Sequence, residues 1–391
     1  MKKKVLIYNG QLFMGGIEKV LTRYLHALSA QENLDIELLI KENDPKKNIL
    51  YKDLPKNLKC TFIKSEGMVN FREKMSSKRK NIFCNIIYQV MREIEKIQMK
   101  IFLKSFFQKN NDIDVVVDFD MSLGKYLGTI KTSKKIGWFH YSIAARKGKK
   151  RERLRERLKG YDKLVTICDE MTEELREVYP AEIEKGVRLY NPLNIDEIVT
   201  MSKDIDSLDN EEKHMIKENY LIGVSRLVHG KGREDLIKIY AKLKKLGIQE
   251  KLYILGEGPE KEKLEKLIEK LNLKKDVFLV GQKSNPYIWM RNATLFLHPS
   301  YGEGLPTVFI ESMACGTPVI AYDCPTGPKE ILEDGKNGGI IELGNIEEFS
   351  ELTYEVLKNK EILENYKKNS DERVLDFSTT QIMSQFIEIL K

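Results

Sequence analysis

The feature that most constrains the fold is a regular alternation of strand-like and helix-like segments in the second half of the chain. Short β-rich runs predict strands at 220–224, 251–255, 277–280, 294–298, 318–322 and 339–342. Helical patterns lie between these runs, at 234–246, 260–271, 286–292, 306–315 and 328–332. This alternation predicts a parallel, doubly wound α/β sheet. Ligands bind such sheets at the carboxyl ends of the strands, in the loops that lead into helices.

The first half of the chain begins in the same way. The segment VLIYNG predicts a strand, GQLFMGG a glycine loop and IEKVLTRYLHAL an amphipathic helix, and buried strands are predicted at 114–119 and 135–139. We therefore expect two Rossmann-like, doubly wound domains that face each other across a cleft, a division that suits 391 residues. The predicted domains are 1–193 and 194–378, with a C-terminal helix at 379–391 that packs back on the first domain.

The composition excludes several classes of protein. Hydrophobic residues make up 41% of the chain and charged residues 32%, which is typical of a globular protein and not of a disordered one. The apolar run Val5–Tyr8 is too short for the core of a signal peptide, and no window approaches the ~18 apolar residues of a membrane span. The five cysteines form no CxxC pair, which favours a reducing compartment and argues against structural zinc. We expect a cytoplasmic protein.

The net charge of +7 conceals a difference between the two halves of the chain. Residues 1–195 contain 39 Lys and Arg against 25 Asp and Glu, a net charge of +14, whereas residues 196–391 carry a net charge of −7. Such an asymmetry indicates two domains with different partners. The basic half has the charge to meet nucleic acid, anionic lipid or an anionic substrate.

A long helical pattern at 72–109 combines apolar and basic residues. Its apolar positions are Phe83, Ile86, Ile87, Val90, Ile94, Ile97 and Ile101, and its basic positions are Lys78, Arg79, Lys80, Arg92, Lys96, Lys100 and Lys104. One interpretation is a surface helix that packs its apolar face on the sheet. The other is a basic amphipathic surface that contacts an anionic membrane. A second basic run, ARKGKKRERLRERLK at 145–159, favours the membrane, with a solvated charged helix as its alternative.

The stretch SYGEGLPTVFIESMACG at 300–316 places two carboxylates around the start of a helix. Glu303 lies in a glycine loop after a predicted strand, and Glu311 lies inside the helix that follows. Pro306 suits the first turn of that helix, where its missing N–H is no loss. The backbone groups at the helix N-terminus, where anions bind, belong to Gly304, Leu305 and Thr307. A phosphate held there, between carboxylates that accept hydroxyl hydrogen bonds, describes the recognition of a nucleoside diphosphate that carries a sugar.

Glu303 and Glu311, with seven residues between them, resemble the E-x7-E motif of retaining GT-B glycosyltransferases, and more specifically of glycosyltransferase family 4. Three further segments agree with that family in order and spacing, namely GGIEKV (15–20), SRLVHGKG (225–232) and GEGP (256–259). The resemblance covers the C-terminal half and the first 25 residues, and residues 40–110 show none. The combination is specific, although E-x7-E alone is not. The resemblance implies the GT-B fold for both domains.

The resemblance also implies a catalytic set. Arg226 and Lys231 follow a predicted strand and precede a helix, and the family uses this pair on the donor diphosphate, where cations stabilise the charge of the leaving group. Glu303 would contact the donor sugar, and Glu311 would accept hydrogen bonds from the ribose hydroxyls. A histidine at the position of His140, after the strand KIGWF, lies near the donor sugar in the family.

The other implied contacts with the donor are largely made by the backbone. Gly15 and Gly16 let the main chain approach the transferring phosphate, and Gly281 and Gln282 match the loop that meets the base. The remaining donor-binding positions are Gly256, Gly304, Leu305, Pro306 and Thr307.

Neither a metal ion nor another cofactor is expected. The pair Arg226 and Lys231 can do the work of a cation on the diphosphate. Asp118 and Asp120 superficially form a D-x-D metal motif, but that motif belongs to a different, metal-dependent glycosyltransferase fold. The sequence therefore predicts a metal-independent site whose ligand is the nucleotide-sugar donor.

The predicted reaction is the retaining transfer of a hexose or N-acetylhexosamine from a nucleotide sugar, expected to be UDP-linked, to a glycan or lipid-linked acceptor. We expect a role in bacterial surface polysaccharide or glycoconjugate assembly, with peripheral contact between the basic domain and the anionic inner face of the cell membrane. A GT-B epimerase or phosphorylase is the alternative, and the four matched segments favour the transferase. Nucleic-acid binding is a remote alternative, because aromatic and basic residues are not interleaved as RNA-binding domains require.

Overall fold

The computed structural model describes residues 2–13, 15–131 and 134–391, so Met14 of the predicted glycine loop lies outside the described residues. The chain divides into two compact units. Unit 1 consists of Met1–Ile167, Met171–Pro192 and Gln385–Lys391, and unit 2 of Cys168–Glu170 and Leu193–Ser384. Each unit is an α/β domain built on one parallel sheet.

Unit 1 contains a seven-stranded parallel sheet in the order β3-β2-β1-β4-β5-β6-β7. Its strands are β1 (Lys3–Asn9), β2 (Leu34–Glu42), β3 (Lys59–Lys64), β4 (Val115–Asp118), β5 (Lys134–Trp138), β6 (Lys163–Thr166) and β7 (Gly186–Arg188). The strand order reverses between β1 and β4, and loops at such a reversal leave room for a ligand. The centre of this sheet is apolar, and both faces of β4 are buried, as expected for a parallel sheet covered by helices.

The helices of the first part of the chain have between 10 and 28 residues. They are α1 (Gly16–Ser29), α2 (Glu66–Ser77), α3 (Ile82–Lys109), α4 (Lys149–Leu158) and α5 (Asp169–Val178). Short 3₁₀ turns occur at Ile49–Asp53, Leu123–Lys125, Leu127–Thr129 and Pro180–Lys185. An aromatic cluster in the unit 1 core joins α1 to β5 and to the end of the chain, because Tyr24 packs edge-on against Trp138 and Phe386, with ring centroids 4.9 Å and 5.3 Å away.

Unit 2 contains a six-stranded parallel sheet in the order β10-β9-β8-β11-β12-β13. Its strands are β8 (Tyr220–Val224), β9 (Lys251–Leu255), β10 (Val277–Gly281), β11 (Leu295–His298), β12 (Val319–Tyr322) and β13 (Gly338–Ile341). Each of the six predicted strands is present with ends within one residue of the prediction. The order reverses between β8 and β11.

The remaining helices flank this sheet or lead back from it. They are α6 (Ile195–Met201), α7 (Asn210–Met215), α8 (Arg233–Lys245), α9 (Lys261–Lys270), α10 (Tyr287–Asn292), α11 (Thr307–Ala314), α12 (Pro328–Ile331), α13 (Ile346–Lys358), α14 (Lys360–Arg373) and α15 (Thr379–Leu390). The 3₁₀ turns here are Ile205–Ser207, His229–Lys231, Glu333–Gly335 and Val374–Phe377. The predicted fold class of two Rossmann-like domains is confirmed.

Helix α3 turns its isoleucine stripe outward. The residues that it buries are Glu95, Met99 and Leu103. The residues of the opposite face are between 51% and 79% exposed, namely Ile82, Phe83, Ile86, Val90, Ile94, Ile97 and Ile101. The interpretation of this stripe as the face that packs on the sheet is therefore wrong, and only the half-buried Ile87 fits it. Among the described residues no helix is both long and apolar enough to cross a membrane.

Buried charges explain why α3 faces this way. Glu95 of α3 pairs with the buried Lys64 of β3 at 2.7 Å, and Arg72 of α2 forms two 2.7 Å hydrogen bonds with Glu42 of β2. Lys64 also lies 3.4 Å from Glu42, so two helices and two strands share one ionic network. Turning the isoleucines inward would break this network and leave Lys64 unpaired at an unfavourable energy.

We predict that Glu95→Ala destabilises unit 1, because it removes the nearest carboxylate from a buried lysine. The expected loss in the free energy of unfolding is about 3 kcal/mol, the lower end of the range for a broken buried pair, since Glu42 remains close. Glu93→Ala, two residues before Glu95 on the exposed side of the same helix, should leave the denaturation midpoint unchanged. Equal midpoints for the two variants in urea unfolding would show that the buried network does not hold α3.

Candidate active site

The strand order of unit 2 brings two loops together where β8 and β11 end. The first loop, 225–232, follows β8 and leads into α8, and the second, 299–306, follows β11 and leads into α11. Backbone contacts join the loops, because the Tyr301 N–H donates to the Gly230 carbonyl at 3.0 Å. The side chains of both loops therefore share one place at the carboxyl edge of the sheet.

Lys231 and Glu303 form an ion pair at this place. The Lys231 ammonium lies 2.6 Å from both carboxylate oxygens of Glu303, and the two side chains are 21% and 11% exposed. Burial alone raises the pKa of Glu303, but a hydrogen bond from His298 and the charge of Lys231 lower that pKa to about 2. Glu303 is therefore an ionised acceptor at neutral pH.

Glu303 is also held by His298 and, through His298, by Arg233, two residues that the sequence did not single out. The His298 ring, at the end of β11, places Nε2 2.8 Å from Oε1 of Glu303. The guanidinium of Arg233, at the start of α8, lies 3.2 Å from Nδ1 of the same ring. A sequence signal existed for each: a histidine that closes the apolar strand TLFLH, and an arginine after the glycine of HGKG. Neither signal shows that the two side chains meet.

A glycine with a left-handed backbone makes the close approach of the loops possible. Gly232 has φ +62°, and a Cβ added there would lie 1.6 Å from the carbonyl oxygen of Pro299. Gly256, in the loop after β9, is under a similar constraint, because an added Cβ would lie 1.9 Å from the carbonyl oxygen of Ser225. These glycines let three loops crowd at one end of the sheet.

Helix α11 begins one residue later than predicted, so Pro306 is its N-cap and Thr307 its first residue. No described side chain caps this N-terminus, which leaves its backbone N–H groups available to an anion. The preceding loop is clamped, because the Thr326 hydroxyl donates to the Glu303 carbonyl at 2.7 Å. Leu305 of this loop is buried. Glu311 is half-buried on the second turn of α11.

The other predicted positions of unit 2 line the same edge of the sheet. Arg226 is exposed at the end of β8. Gly281 closes β10 with φ +81° and accepts a hydrogen bond from the Gly256 N–H at 2.9 Å, and the exposed Gln282 follows it. Contacts among described residues thus join Lys231 to Glu303 and Gly256 to Gly281.

Gly15 and Gly16 lie in unit 1 at the start of α1. Gly15 is the N-cap of α1, and a Cβ added there would lie 2.2 Å from a carboxylate oxygen of Glu18. The buried Glu18 carboxylate therefore sits over this helix N-terminus, the position where the sequence predicted a phosphate. The predicted role of the two glycines stays a prediction.

His140 lies in unit 1 after β5 and is buried. Its Nε2–H donates to the carbonyl of Phe119 at 2.7 Å, which leaves Nδ1 as an acceptor. Burial lowers the pKa of His140 to about 3, so the ring is neutral at physiological pH. A neutral ring can accept a hydroxyl hydrogen bond but cannot supply charge to a diphosphate, and its role near the sugar stays a prediction.

Asp118 and Asp120 serve hydrogen bonds within unit 1. Asp118 is buried and accepts from Tyr161 at 2.5 Å and from the Leu123 N–H at 2.9 Å. Burial, followed by the charge of Asp120, raises the pKa of Asp118 well above its ordinary value. Asp120 accepts from the Gly10 N–H at 2.8 Å. These carboxylates close the loops after β1 and β4.

One group of residues in unit 2 has the side chains of a metal site. His229, Glu234 and Glu260 place possible ligand atoms within 4.8 Å of one another, beside a cavity of about 430 Å³. The Lys263 ammonium pairs with Glu234 and lies 4.0 Å from Glu260, so one cation is already within ion-pair distance of both carboxylates. His229 is largely exposed. The group lies outside the Lys231–Glu303 pair and was not predicted.

Comparison with known families agrees with this geometry. Residues 204–373 match the family described as glycosyl transferases group 1. This segment includes the loop of Lys231, the loop of Glu303 and helix α11. Unit 2 is therefore similar to the glycosyl transferases of group 1 over the segment that carries the candidate site.

Relatives of known name match parts of the chain. An uncharacterised glycosyltransferase of Methanocaldococcus jannaschii is 36% identical over 143 residues, 36% of this chain and 35% of that protein. N-acetylgalactosamine-N,N'-diacetylbacillosaminyl-diphospho-undecaprenol 4-alpha-N-acetylgalactosaminyltransferase of Campylobacter jejuni is 30% identical over 218 residues, 56% of this chain and 57% of that protein. The chain thus spans between 35% and 57% of these relatives.

A solved structure extends the likeness of fold to the whole chain. The crystal structure of Anabaena Alr3699/HepE in complex with UDP and glucose has a TM-score of 0.74 and covers 99% of both chains at 18% identity. At that identity the likeness shows the fold alone. The family match covers residues 204–373, less than half of the chain, and it concerns the part that carries the candidate site.

We predict that Gly232→Ala distorts the site, because its Cβ would overlap a backbone atom that no side-chain motion can move. A left-handed alanine adds about 1 kcal/mol of strain or more, and the loops at 229–232 and 299–303 must separate. The melting temperature should fall and UDP binding should weaken. Gly230→Ala is the matched control, since an added Cβ there meets no described atom within 4 Å. Equal melting and UDP affinity in the two variants would contradict the crowding of these loops.

Proposed function

We propose that the protein is a retaining glycosyltransferase that moves a hexose or N-acetylhexosamine from a UDP-linked sugar to a glycan or lipid-linked acceptor, in bacterial surface polysaccharide or glycoconjugate assembly. The ion pair of Lys231 and Glu303 at the reversal of strand order carries the proposal. In this proposal Lys231 is the cation for the phosphates, and the neighbouring Glu303 is the ionised acceptor for sugar hydroxyls.

Binding of the donor would change the partners of both Lys231 and Glu303. Its diphosphate competes with Glu303 for the Lys231 ammonium, and the exposed Arg226 is the second cation of the same loop. The carboxylate that Lys231 leaves then accepts hydrogen bonds from the hydroxyls of the transferred sugar. Glu311, on the second turn of α11, is assigned to the ribose hydroxyls, and the uncapped N-terminus of α11 to a phosphate.

The reaction needs no nucleophile from the protein. The bond between the anomeric carbon and the β-phosphate oxygen breaks first, and the acceptor hydroxyl attacks from the same face. The departing phosphate oxygen takes the hydroxyl proton, so that configuration is retained. Lys231 and Arg226 stabilise the negative charge that develops on the diphosphate, which is the work of a preorganised electrostatic site. For this reason the proposed transfer is independent of metal ions.

Names of similar proteins support the choice of donor and product. The Anabaena structure contains UDP and glucose, and the Campylobacter relative is named as an α-N-acetylgalactosaminyltransferase that acts on a diphospho-undecaprenol substrate. Because UDP-hexoses carry an α-linked sugar, an α product corresponds to retention. The lipid-linked acceptor proposed here also carries a diphosphate, which suits the net charge of +14 on residues 1–195.

We predict that the purified chain transfers or slowly hydrolyses one donor from a panel of UDP-Glc, UDP-Gal, UDP-GlcNAc, UDP-GalNAc and GDP-Man, in excess EDTA. Lys231→Ala should lower kcat by about 10²–10³, or about 2.7–4 kcal/mol in the transition state, because the cation matters most as the diphosphate leaves. UDP affinity should change far less. Lys245→Ala, an exposed lysine in the last turn of α8, should keep wild-type turnover.

Each outcome of this assay has a separate meaning. Epimerised donor without release of UDP would identify an epimerase, and turnover only with inorganic phosphate as acceptor would identify a phosphorylase. Activity that EDTA abolishes and Mn²⁺ or Mg²⁺ restores would refute metal independence alone. Near-wild-type kcat for Lys231→Ala would remove Lys231 from the site.

We also propose that α3 docks unit 1 on an anionic membrane. From Phe83 to Ile101 the exposed stripe repeats at helical spacing for five turns, so it runs straight along the helix for about 27 Å. A straight apolar stripe matches a flat interface. Lys96, Lys100 and Lys104, spaced four residues apart, form a cationic row along one flank of it.

Other basic residues converge on the same region. The pKa of Lys125 is lowered by burial and then by repulsion from nearby cations, namely Arg157, Lys96, Arg153 and Arg92. The basic runs of α3 and α4 therefore meet in space. A second copy of α3 is a less suitable partner than lipid. In a symmetric pair of helices the lysine row would face either the lysine row of the other copy or its uncharged flank, which contains Met91 and Gln98.

We predict that the protein sediments with phosphatidylglycerol vesicles at low salt, is released as salt rises, and ignores phosphatidylcholine vesicles. Each Lys or Arg near an anionic surface contributes about 1 kcal/mol, screened within a Debye length. The double variant Ile94→Ser and Ile97→Ser should bind more weakly, since each inserted isoleucine contributes roughly 1.5–3 kcal/mol. Leu375→Ser, which changes an exposed leucine of unit 2, is the control. A double variant that binds like the wild type would show that α3 is not the docking element.

A further inference from the structure

A continuous chain of polar groups lies beneath the Lys231–Glu303 pair. Arg233 is 1% exposed and His298 is 2% exposed, yet neither is one of the groups assigned to donor or acceptor. The contacts run from the Arg233 Nη2 to the His298 Nδ1 at 3.2 Å, and from the His298 Nε2 to the Glu303 Oε1 at 2.8 Å. A second branch joins Arg233 Nε to the Lys231 carbonyl at 3.0 Å. Arg233 thus touches the supports of both members of the ion pair.

The chemistry of arginine decides how the His298 ring is protonated. A guanidinium has only donors and remains charged, so the His298 Nδ1 that faces it must be an acceptor. The proton of the neutral ring therefore lies on Nε2, where it is donated to Glu303. This orientation leaves the Glu303 carboxylate with one fixed donor from the protein interior and with Lys231 as its second partner.

Burying the charge of Arg233 is energetically unfavourable, which indicates that this charge has a role. The pKa of Arg233 is lowered to about 10 by burial, and its Nη1 has no described hydrogen-bond partner. Gly223 of β8 makes room for it, because a Cβ added there would lie 2.5 Å from Nη1. An apolar side chain of similar volume would fill this space without the desolvation of a charge. Retaining an arginine therefore calls for a role beyond packing.

We propose that Arg233 and His298 are positioning residues that hold the Glu303 carboxylate in place while Lys231 moves between Glu303 and the donor diphosphate. The proposal rests on the proposed function in that Glu303 and Lys231 are taken as donor-binding groups. Without donor, Glu303 is held by both Lys231 and His298. With donor bound, the His298 N–H alone keeps the carboxylate oriented toward the sugar, and Arg233 keeps that proton on Nε2.

Every charged group that faces His298 acts in this scheme. Burial lowers the pKa of His298 most strongly, Glu303 raises it, and Arg233 and Lys231 lower it further, to about 4. The rings packed on His298 from β11 and α11, Phe296 and Phe309, carry no charge. Cys324, in the loop after β12, lies near Glu303 and Lys231, but burial raises the pKa of its thiol to about 12. His298 therefore stays neutral through the physiological range.

The tautomer can be tested on the wild-type chain without any assay of activity. Nitrogen-15 NMR of histidine-labelled protein should show two buried rings, His298 and His140, as neutral Nε2–H tautomers. Neither ring should titrate between about pH 5 and 8, a range that contains the ordinary histidine pKa of about 6.5. His298→Gln should remove one of these signals, and His214→Gln, at an exposed histidine, should leave both of them in place. A His298 ring protonated on Nδ1, or one that titrates near pH 6.5, would overturn the proposal.

The role of Arg233 is tested by the pH dependence of kcat/KM for the preferred donor. Arg233→Met fills the space without charge, so Glu303 should raise the pKa of His298 toward or above about 6.5. Activity should then gain an acid limb near this pH that the wild type lacks, because imidazolium holds Glu303 more tightly than a neutral ring does. Arg233→Lys restores a cationic donor and should shift this limb back. Met and Lys variants with the same flat profile as the wild type would refute the role.

A pair of substitutions at His298 keeps the proposal testable if Arg233→Met does not fold. His298→Gln keeps a donor toward Glu303, and His298→Leu does not. The Leu variant should lose about 10- to 100-fold in kcat, as expected for an outer partner of a site group, while the Gln variant recovers part of that loss. Equal rates for the two would overturn the proposal. A wild-type chain that turns over no donor would refute the proposed function and leave the NMR result to decide the hydrogen-bond chain.

Discussion

Burial of each parallel sheet on both faces is the constraint from which the other features follow. In unit 2 the strands β11 and β12 are buried along their whole length, so polar side chains are confined to the edge where the strands end. The reversal of strand order between β8 and β11 opens that edge to two loops, and the Lys231–Glu303 pair forms where they meet. His298, the last residue of β11, is polar and buried, and it is tolerated because both of its ring nitrogens have partners.

Charge organises the two units in different ways. In unit 2 a few buried charges are paired with short distances, and they set the protonation of Glu303 and His298. In unit 1 most of the described basic residues are at the surface, and a buried ionic network around Lys64 and Glu95 serves to orient α3. Burying an unpaired charge is unfavourable in both units. In unit 2 this cost favours the paired charges of the candidate site, and in unit 1 it favours the orientation of α3 that leaves its apolar face exposed.

The strands of unit 2 were predictable because a buried parallel strand is a short apolar run bounded by glycine or proline. The start of α11 and its flanking carboxylates were likewise visible in SYGEGLPTVFIES, with an error of one residue at Pro306. The orientation of α3 was not predictable in the same way. Periodicity shows which residues share a helix face, but Phe83 and Ile97 follow the same spacing whether that face meets a sheet or solvent.

The sequence by itself determined the fold class and the residue types of the site, because period, glycine placement and motif spacing are local properties of the chain. Only the tertiary structure decided which groups meet. The contact of Arg233 with His298 joins residues 65 positions apart, and that of Lys231 with Glu303 joins residues 72 apart. Such contacts depend on strand order and on the left-handed backbone at Gly232, which lets the loops approach. The protonation of His298 and the charge of Glu303 follow from those contacts, since pKa values respond to neighbours in space and not in sequence.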